Sequence, residues 1–148
     1  MLHKKSYWWM YIWPLLWLAI LLWIDLWTKY LFYDLEWYKD AYWIEPAINM
    51  GISFSWSVPY IIVLPISLIV LWVFVYLYHI KAFSKIVTLL LMAGTLGNFY
   101  DRVVYDWVRD FLVLPNMFIF NIADVFLTCG MICAIYYMSF DSTKKHRF

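Results

Sequence analysis

Residues 121–140 read NIADVFLTCGMICAIYYMSF, and within this run of 20 residues Asp124 is the sole charged side chain. A helix of that length spans about 30 Å, which matches the hydrocarbon core of a bilayer. A carboxylate inside such a segment is costly and usually functional. The stretch therefore predicts a membrane-spanning helix that carries a functional acid about one turn below its first residue, Asn121.

The rest of the chain is equally apolar, since 66% of its 148 residues are hydrophobic and 14% are charged. Average soluble proteins have about 25% charged residues, and a soluble domain of this size could not hide so much apolar surface. The long uncharged runs predict four spans, at about residues 7–28, 58–78, 84–102 and 121–140. We therefore expect an all-α membrane protein with four transmembrane helices in a single domain, residues 1–148.

Charge is distributed unevenly over this layout: seven of the 11 basic residues fall on one side and nine of the 10 acidic residues on the other. The seven are Lys4, Lys5, Lys81, Lys85, Lys144, Lys145 and Arg147. Because basic residues concentrate in cytoplasmic loops, both termini are expected to be cytoplasmic. The first apolar run is too long for a signal peptide and lacks a small-residue cleavage site, which predicts an uncleaved anchor.

Two outer segments follow from this orientation, at residues 31–57 and 103–119. The first is too long for a plain turn, and a small extracytoplasmic sheet between helices 1 and 2 is one form open to it. The second, around residues 107–120, is rich in apolar residues with Pro115, and a partly membrane-dipping loop or a short helix is predicted there. The acids of the first segment are interpreted as a solvated loop; they are Asp34, Glu36, Asp40 and Glu45.

Polar residues from three predicted helices fall at one depth, close to the outer surface. They are Asp25 and Lys29 in the first helix, Asn98, Asp101 and Arg102 in the third, and Asn121 and Asp124 in the fourth. Asp110 follows in the outer segment, where its loop can fold back towards Asp124. Two carboxylates in a poorly solvated pocket share one proton, so that one can activate water while the other polarises a carbonyl. This arrangement predicts aspartyl-protease chemistry.

The histidines argue against other hydrolytic mechanisms. His3, His79 and His146 are all predicted at the cytoplasmic side, away from the acids. Zinc hydrolysis and a serine or cysteine mechanism are therefore disfavoured. No cofactor and no metal are expected. A net charge of +1 gives no indication of nucleic-acid binding.

Two other classes of protein stay open. A proton-coupled transporter would hold its key carboxylate near the bilayer midplane, whereas these acids lie at one end of the spans. A subunit that binds partner helices would carry small-xxx-small faces, whereas the chain has only four glycines and no G-x-x-x-G. Asp25 with Lys29 can equally be a helix-end salt bridge, and Asp101 is interpreted as mostly structural.

Five short segments resemble the conserved boxes of bacterial lipoprotein signal peptidase, also called signal peptidase II, and they occur in family order. They are Asp25-Leu-Trp-Thr-Lys29, Asn49-Met-Gly51-Ile-Ser-Phe54, Gly97-Asn98-Phe-Tyr-Asp101-Arg102, Arg109-Asp110-Phe111 and Phe120-Asn121-Ile-Ala123-Asp124. The boxes extend over residues 25–124. The spacing between Asp110 and Asp124 is short for the family, so the outer loop over the site is expected to differ.

The resemblance implies an aspartic endopeptidase of the bacterial cytoplasmic (inner) membrane, with its active site near the outer leaflet. Its substrates would be prolipoproteins, cleaved just before a diacylglyceryl-modified cysteine, and globomycin-type peptides would inhibit it. Membrane lipid is the other expected partner, and the chain is expected to act as a monomer. The resemblance places the catalytic dyad on Asp110 and Asp124. It places substrate-binding or supporting roles on Asn49, Gly51, Asn98, Asp101, Arg102, Asn121, Asp25 and Lys29.

Overall fold

The computed structural model describes residues 9–37, 41–51 and 60–145. This part of the chain contains four α-helices, α1 Trp9–Lys29, α2 Tyr60–His79, α3 Lys85–Tyr105 and α4 Ile122–Lys145. Strand β1 Ile44–Asn49 lies between α1 and α2, and strands β2 Val108–Leu114 and β3 Phe118–Phe120 lie between α3 and α4. α1 continues without a break into a π-helical segment, Tyr30–Asp34, which we call the π segment.

Three helical stretches in the described part are long and apolar enough to cross a membrane: Ile12–Asp34, Ile61–His79 and Ile122–Ser139. In each of these stretches, no more than 17% of the most apolar 18-residue window is buried inside the protein. Such uncovered apolar surface fits helices that face lipid. The prediction of four spanning helices is therefore confirmed for three, and the crossing of α3 stays a prediction. The predicted starts at residues 7 and 58 lie outside the described residues.

α3 is the central helix, because it packs against each of the other three. Much of the buried apolar core of the described chain lies on it, including Val87, Leu89, Leu91 and Ala93. Gly94 lets α4 approach closely, since a Cβ there would lie 2.5 Å from the carbonyl oxygen of Ala123. A helix covered on several sides by other helices does not need an apolar surface, so α3 can carry polar residues at its end.

The strands form one antiparallel sheet in the order β1-β2-β3. Ala47 of β1 lies opposite Asp110 of β2, and the register is irregular between Ile44 and Ala47. Pro46 falls in this irregular stretch, where it has no N–H to donate. β structure between α1 and α2 is thus confirmed, but β1 pairs with a strand from the other outer segment.

The prediction of a membrane-dipping loop or short helix around residues 107–120 is wrong, because this stretch forms strands β2 and β3. Asp106, in the left-handed region at φ 67°, ends α3 and turns the chain into β2. A turn that contains Asn116 at φ 61° then joins β2 to β3. The β-branched and aromatic residues on either side of Pro115 and Asn116 favour a hairpin.

Candidate active site

The first turn of α4 holds two of the predicted site residues in a reciprocal arrangement. Asn121 Oδ1 accepts a hydrogen bond from the backbone N–H of Asp124 at 3.0 Å. Asp124 Oδ2 accepts one from the backbone N–H of Asn121 at 3.2 Å. This is a capping box, which satisfies N–H groups that a helix start leaves without partners. The Asp124 carboxylate thus lies where the helix dipole favours negative charge.

β2 brings Asp110 to the same place, where its residue is only 2% exposed. Its Oδ1 accepts a hydrogen bond from Asn121 Nδ2 at 2.6 Å, and its Oδ2 accepts one from Asn49 Nδ2 at 2.9 Å. The amide of Asn49 is itself oriented, because its Oδ1 accepts from the Gly51 N–H at 2.9 Å. β1 and the start of α4 therefore each point an amide donor at Asp110.

Asn98 of α3 connects the two carboxylates. Its Nδ2 donates to Asp124 Oδ1 at 2.8 Å, and its Oδ1 accepts from Asn121 Nδ2 at 3.1 Å. A chain of two amides, Asn121 and Asn98, therefore joins Asp110 to Asp124. We call this set the amide cluster; it consists of Asn49, Asn98, Asp110, Asn121 and Asp124.

The environment of Asp110 changes its protonation. Burial and the nearby charge of Asp124 raise its pKa from 3.8 to about 7. Hydrogen bonds from Asn49 and Asn121 and the charge of Lys29 act in the opposite direction. Because the pKa lies near neutrality, protonated and ionised Asp110 are both populated there, so this carboxyl can take up or release a proton.

A second polar group surrounds Lys29, which is fully buried. Its ammonium lies 2.9 Å from Asp25 Oδ2 and 3.1 Å from Asp101 Oδ2, and it donates to Asn98 Oδ1 at 3.3 Å. Asp25 also accepts from the backbone N–H of Ala123 at 2.8 Å, and so joins α1 to the start of α4. Burial of charge is tolerated here because each charge has an opposite partner.

Arg109, next to Asp110 in β2, extends this second group. Its Nε and Nη2 donate to Asp101 Oδ1 at 3.3 and 2.9 Å, and its backbone N–H donates to Asp101 Oδ2 at 3.0 Å. Its Nη1 donates to Asp34, and its guanidinium carbon lies 4.5 Å from the centre of the Tyr105 ring. We call this set the ion cluster; it consists of Asp25, Lys29, Asp34, Asp101 and Arg109.

The contact between Asp34 and Arg109 shows that one interpretation from sequence is wrong. Asp34 belongs to the ion cluster rather than to a solvated loop, although its side chain is still 33% exposed. Sequence reasoning missed the pair because Asp34 and Arg109 are 75 residues apart. The π segment and β2 must both be in place before the contact exists, so no local spacing could have indicated it.

Arg102 connects the end of β1 to α3. Its Nη2 donates to the carbonyl oxygen of Gly51 at 3.0 Å, and its Nη1 donates to that of Asn98 at 3.3 Å. All ten site residues predicted from sequence therefore lie in one connected hydrogen-bonded and ion-paired group. Their roles in catalysis and substrate binding stay predictions.

Within residues 9–37, 41–51 and 60–145, no group of three or more His, Cys, Asp or Glu residues is arranged so that it could hold a metal ion. His79 is the last residue of α2, at the opposite end of that helix from its start at Tyr60. His3 and His146 lie outside the described residues.

The sequence matches one family model, described as signal peptidase (SPase) II, over residues 17–140. A lipoprotein signal peptidase of Pelagibacter ubique (strain HTCC1062) is 45% identical over 60 residues, covering 38% of this chain and 36% of that protein. One of Enterococcus faecalis (strain ATCC 700802 / V583) is 32% identical over 84 residues, covering 55% and 52%. The chain thus aligns with 36–52% of the length of these two curated relatives.

The fold is similar to that of solved bacterial membrane enzymes. One, determined at 2.3 Å resolution, superposes with a TM-score of 0.82 at 27% identity, covering 100% of this chain and 98% of that one. A second, determined at 1.9 Å, gives a TM-score of 0.70 at 27% identity over 95% and 99% of the two chains. The similarity therefore extends over the sheet and all the helices.

Proposed function

The chain belongs to the signal peptidase II family, and from this premise we propose that it is a membrane-embedded aspartic endopeptidase. Its substrates are prolipoproteins whose signal peptide ends at a diacylglyceryl-modified cysteine, and it hydrolyses the bond just before that cysteine. One observation carries the proposal most directly: Asp110 and Asp124 are joined through Asn121 and Asn98. The charge of Asp124 also acts on Asp110, so the two carboxyls titrate as a coupled pair in which one holds a proton while the other is ionised, as the reaction requires.

The two aspartates take different roles because their surroundings differ. Asp110 is buried and its pKa is raised to about 7, so a large fraction of it is protonated near neutral pH, and we assign it as the protonated partner. Asp124 accepts hydrogen bonds from Asn98 Nδ2 and from the Asn121 N–H, and it lies at a helix N-terminus that favours negative charge. We therefore assign Asp124 as the general base.

The reaction proceeds in two steps. In the first, Asp124 takes a proton from water, the water oxygen bonds to the scissile carbonyl carbon, and Asp110 gives its proton to the carbonyl oxygen. In the second, the carbon–nitrogen bond breaks, the leaving amine takes the proton from Asp124, and the reforming carboxyl returns a proton to Asp110. Both aspartates end in their starting states, and no metal ion is needed.

The remaining predicted residues support this pair. Asn49 and Asn121 hold the carboxyl of Asp110, and Asn98 holds that of Asp124. Arg102 and Gly51 fix the end of β1, on which Asn49 lies, so this end is the part we propose to contact substrate. The ion cluster holds the ends of α1 and α3 together beneath the sheet.

The proposed membrane arrangement has four spans, including α3, in one domain of residues 1–148 that acts as a monomer. Both termini lie in the cytoplasm, and the site lies near the outer leaflet of the inner membrane, about one helical turn below the outer interface. In the described chain, the buried charged residues all lie at the sheet end of the helices. A transporter would need such a group near the midplane. At this depth the lipidated cysteine reaches the site while its acyl chains stay in the bilayer.

The test is a gel-shift assay with purified protein in detergent or lipid. The substrate is a prolipoprotein that carries diacylglyceryl on its cysteine, and the control is the same protein without the lipid. We expect cleavage of the lipidated form only, inhibition by globomycin, and no effect of EDTA. Loss of activity under EDTA with recovery on adding zinc would overturn the metal-free mechanism. A folded protein that neither cleaves the lipidated form nor binds globomycin would overturn the proposed function.

A further inference from the structure

The strand that carries Asp110 is held from its opposite face. Successive side chains of a strand point to opposite faces, so Arg109 and Phe111 lie on the face away from the Asp110 carboxyl. Both are buried, at 4% and 0% exposure. Contacts made by these two neighbours therefore act on the position of the strand that carries Asp110, in addition to the hydrogen bonds that its carboxyl accepts from Asn49 and Asn121.

The π segment contacts both neighbours of Asp110. Its Asp34 accepts a hydrogen bond from Arg109 Nη1. Its Phe32 stacks on the ring of Phe111, with centroids 5.3 Å apart and planes at 29°. One short segment at the end of α1 therefore holds the residue before Asp110 by charge and the residue after it by aromatic packing.

Both contacts come from the part of the chain that is π-helical, Tyr30–Asp34. Phe32 and Asp34 are two residues apart in this segment, and both side chains contact β2. Short π-helical turns are frequent at functional sites.

We propose that the π segment is a positioning element for the dyad, in which Asp34 and Phe32 hold Arg109 and Phe111 so that the Asp110 carboxyl faces Asp124. The proposal rests on the function proposed above. Neither residue touches the reacting atoms, so both are positioning residues. Asp101 and Tyr105 hold Arg109 from α3 independently, so loss of one π-segment contact loosens the strand without freeing it.

A loosened strand exposes Asp110 to water. Burial is the largest cause of its raised pKa, so partial solvation lowers the pKa towards its ordinary value. The other groups that shift the pKa of Asp110 are the same in the wild type and in variants of the π segment. They are Asp124 on α4, Lys29 on α1, Arg102 on α3 and the amides of Asn49 and Asn121.

The experiment compares Asp34→Asn, Phe32→Leu and the double variant with Glu36→Gln, which removes an exposed acid two residues beyond Asp34. We expect each single variant to lower kcat by about threefold to tenfold, since small misplacements of reacting groups are costly, with KM nearly unchanged. The alkaline limb of the kcat–pH profile should move to lower pH. The double variant should lose more than either single one, and Glu36→Gln should match the wild type.

A second readout separates this proposal from the proposed function. Infrared titration of carboxyl bands, as the difference between each protein and the same protein with Asp110→Asn, reports the pKa of Asp110 without substrate. We expect a lower pKa in Asp34→Asn even if no substrate is cleaved by any form. An unmoved titration with wild-type kcat would overturn the proposal. A lower melting temperature with an unmoved pH profile would also overturn it, because the segment would then be structural only.

Discussion

The ion cluster and the amide cluster lie at the same end of the helices, but different groups face their carboxylates. In the ion cluster, Asp25, Asp34 and Asp101 each contact Lys29 or Arg109. In the amide cluster, Asp110 and Asp124 accept hydrogen bonds from neutral amides and a backbone N–H. An ion pair fixes the positions of both of its partners, whereas a carboxyl that accepts hydrogen bonds from neutral amides, as Asp110 does, can exchange a proton near neutral pH. The first cluster is suited to holding structure and the second to moving a proton.

Asn98 connects the two clusters. Its Oδ1 accepts from Lys29 Nζ at 3.3 Å, and its Nδ2 donates to Asp124 Oδ1 at 2.8 Å. Because a cation faces the oxygen, the amide cannot reverse without placing its NH₂ against Lys29. The ion cluster thereby fixes which atom of Asn98 faces the proposed general base.

The strongest test of the comparison removes the ionisable group from each carboxyl of the amide cluster. We expect Asp110→Asn and Asp124→Asn each to lower kcat by about 10²–10⁴-fold, because each removes one proton-transfer group. Cleavage of lipidated prolipoprotein measures the loss, and thermal unfolding checks that the variants remain folded. Asp106→Asn is the matched control, since Asp106 is an exposed acid between α3 and β2. Substantial activity in either variant would remove that residue from the dyad.

Substitutions in the ion cluster should lower the stability of the fold. We expect Lys29→Met to lower the free energy of unfolding by about 3–5 kcal/mol, because Asp25 and Asp101 would stay buried without their shared cation. Denaturant unfolding in detergent measures the change. Lys85→Met is the control, since Lys85 is exposed at the start of α3. If Lys29→Met unfolds like Lys85→Met, the ion cluster contributes little to the fold and the division between the clusters fails.

A smaller change disturbs the ion cluster without removing a charge. In Gly97→Ala, the new Cβ would overlap the Asp25 carboxylate and lie 3.2 Å from the Ala123 Cβ. We expect the free energy of unfolding to fall by about 1–3 kcal/mol, as for other overpacked sites. Thr128→Ala on the exposed side of α4 supplies the control. An unchanged stability would mean that α1 can move away from α3 at no cost.

The parts of this architecture that sequence could predict depend on local patterns. The apolar runs predicted the helices, and the i,i+3 and i,i+4 spacings of residues such as Asn98 and Asp101 predicted that their side chains share a helix face. The pairing of β1 with β2 could not be predicted, because Ala47 and Asp110 come together only when α1, α2 and α3 are packed. For the same reason, the Asp34–Arg109 pair and the choice of Asn49 as donor to Asp110 depend on tertiary structure.

For Asn49→Ala we expect a smaller effect than for the dyad variants, and its direction is more informative than its size. The Asn49 amide stabilises ionised Asp110, so its loss should raise the pKa of Asp110 above about 7. If Asp110 must be protonated to act, activity falls as pH rises through this pKa. The alkaline limb of the kcat–pH profile should therefore move to higher pH, opposite to the shift expected for Asp34→Asn, while kcat falls by about tenfold.

Asn116→Gly, in the exposed turn between β2 and β3, is the control for this profile, because it removes an amide that lies outside the amide cluster. A limb that moves to lower pH in Asn49→Ala would mean that solvation of the site outweighs the lost hydrogen bond. Opposite shifts in Asn49→Ala and Asp34→Asn cannot both arise from general loosening of the sheet. They require one residue to act on the charge of Asp110 and the other on its burial, which is the distinction that the two clusters predict.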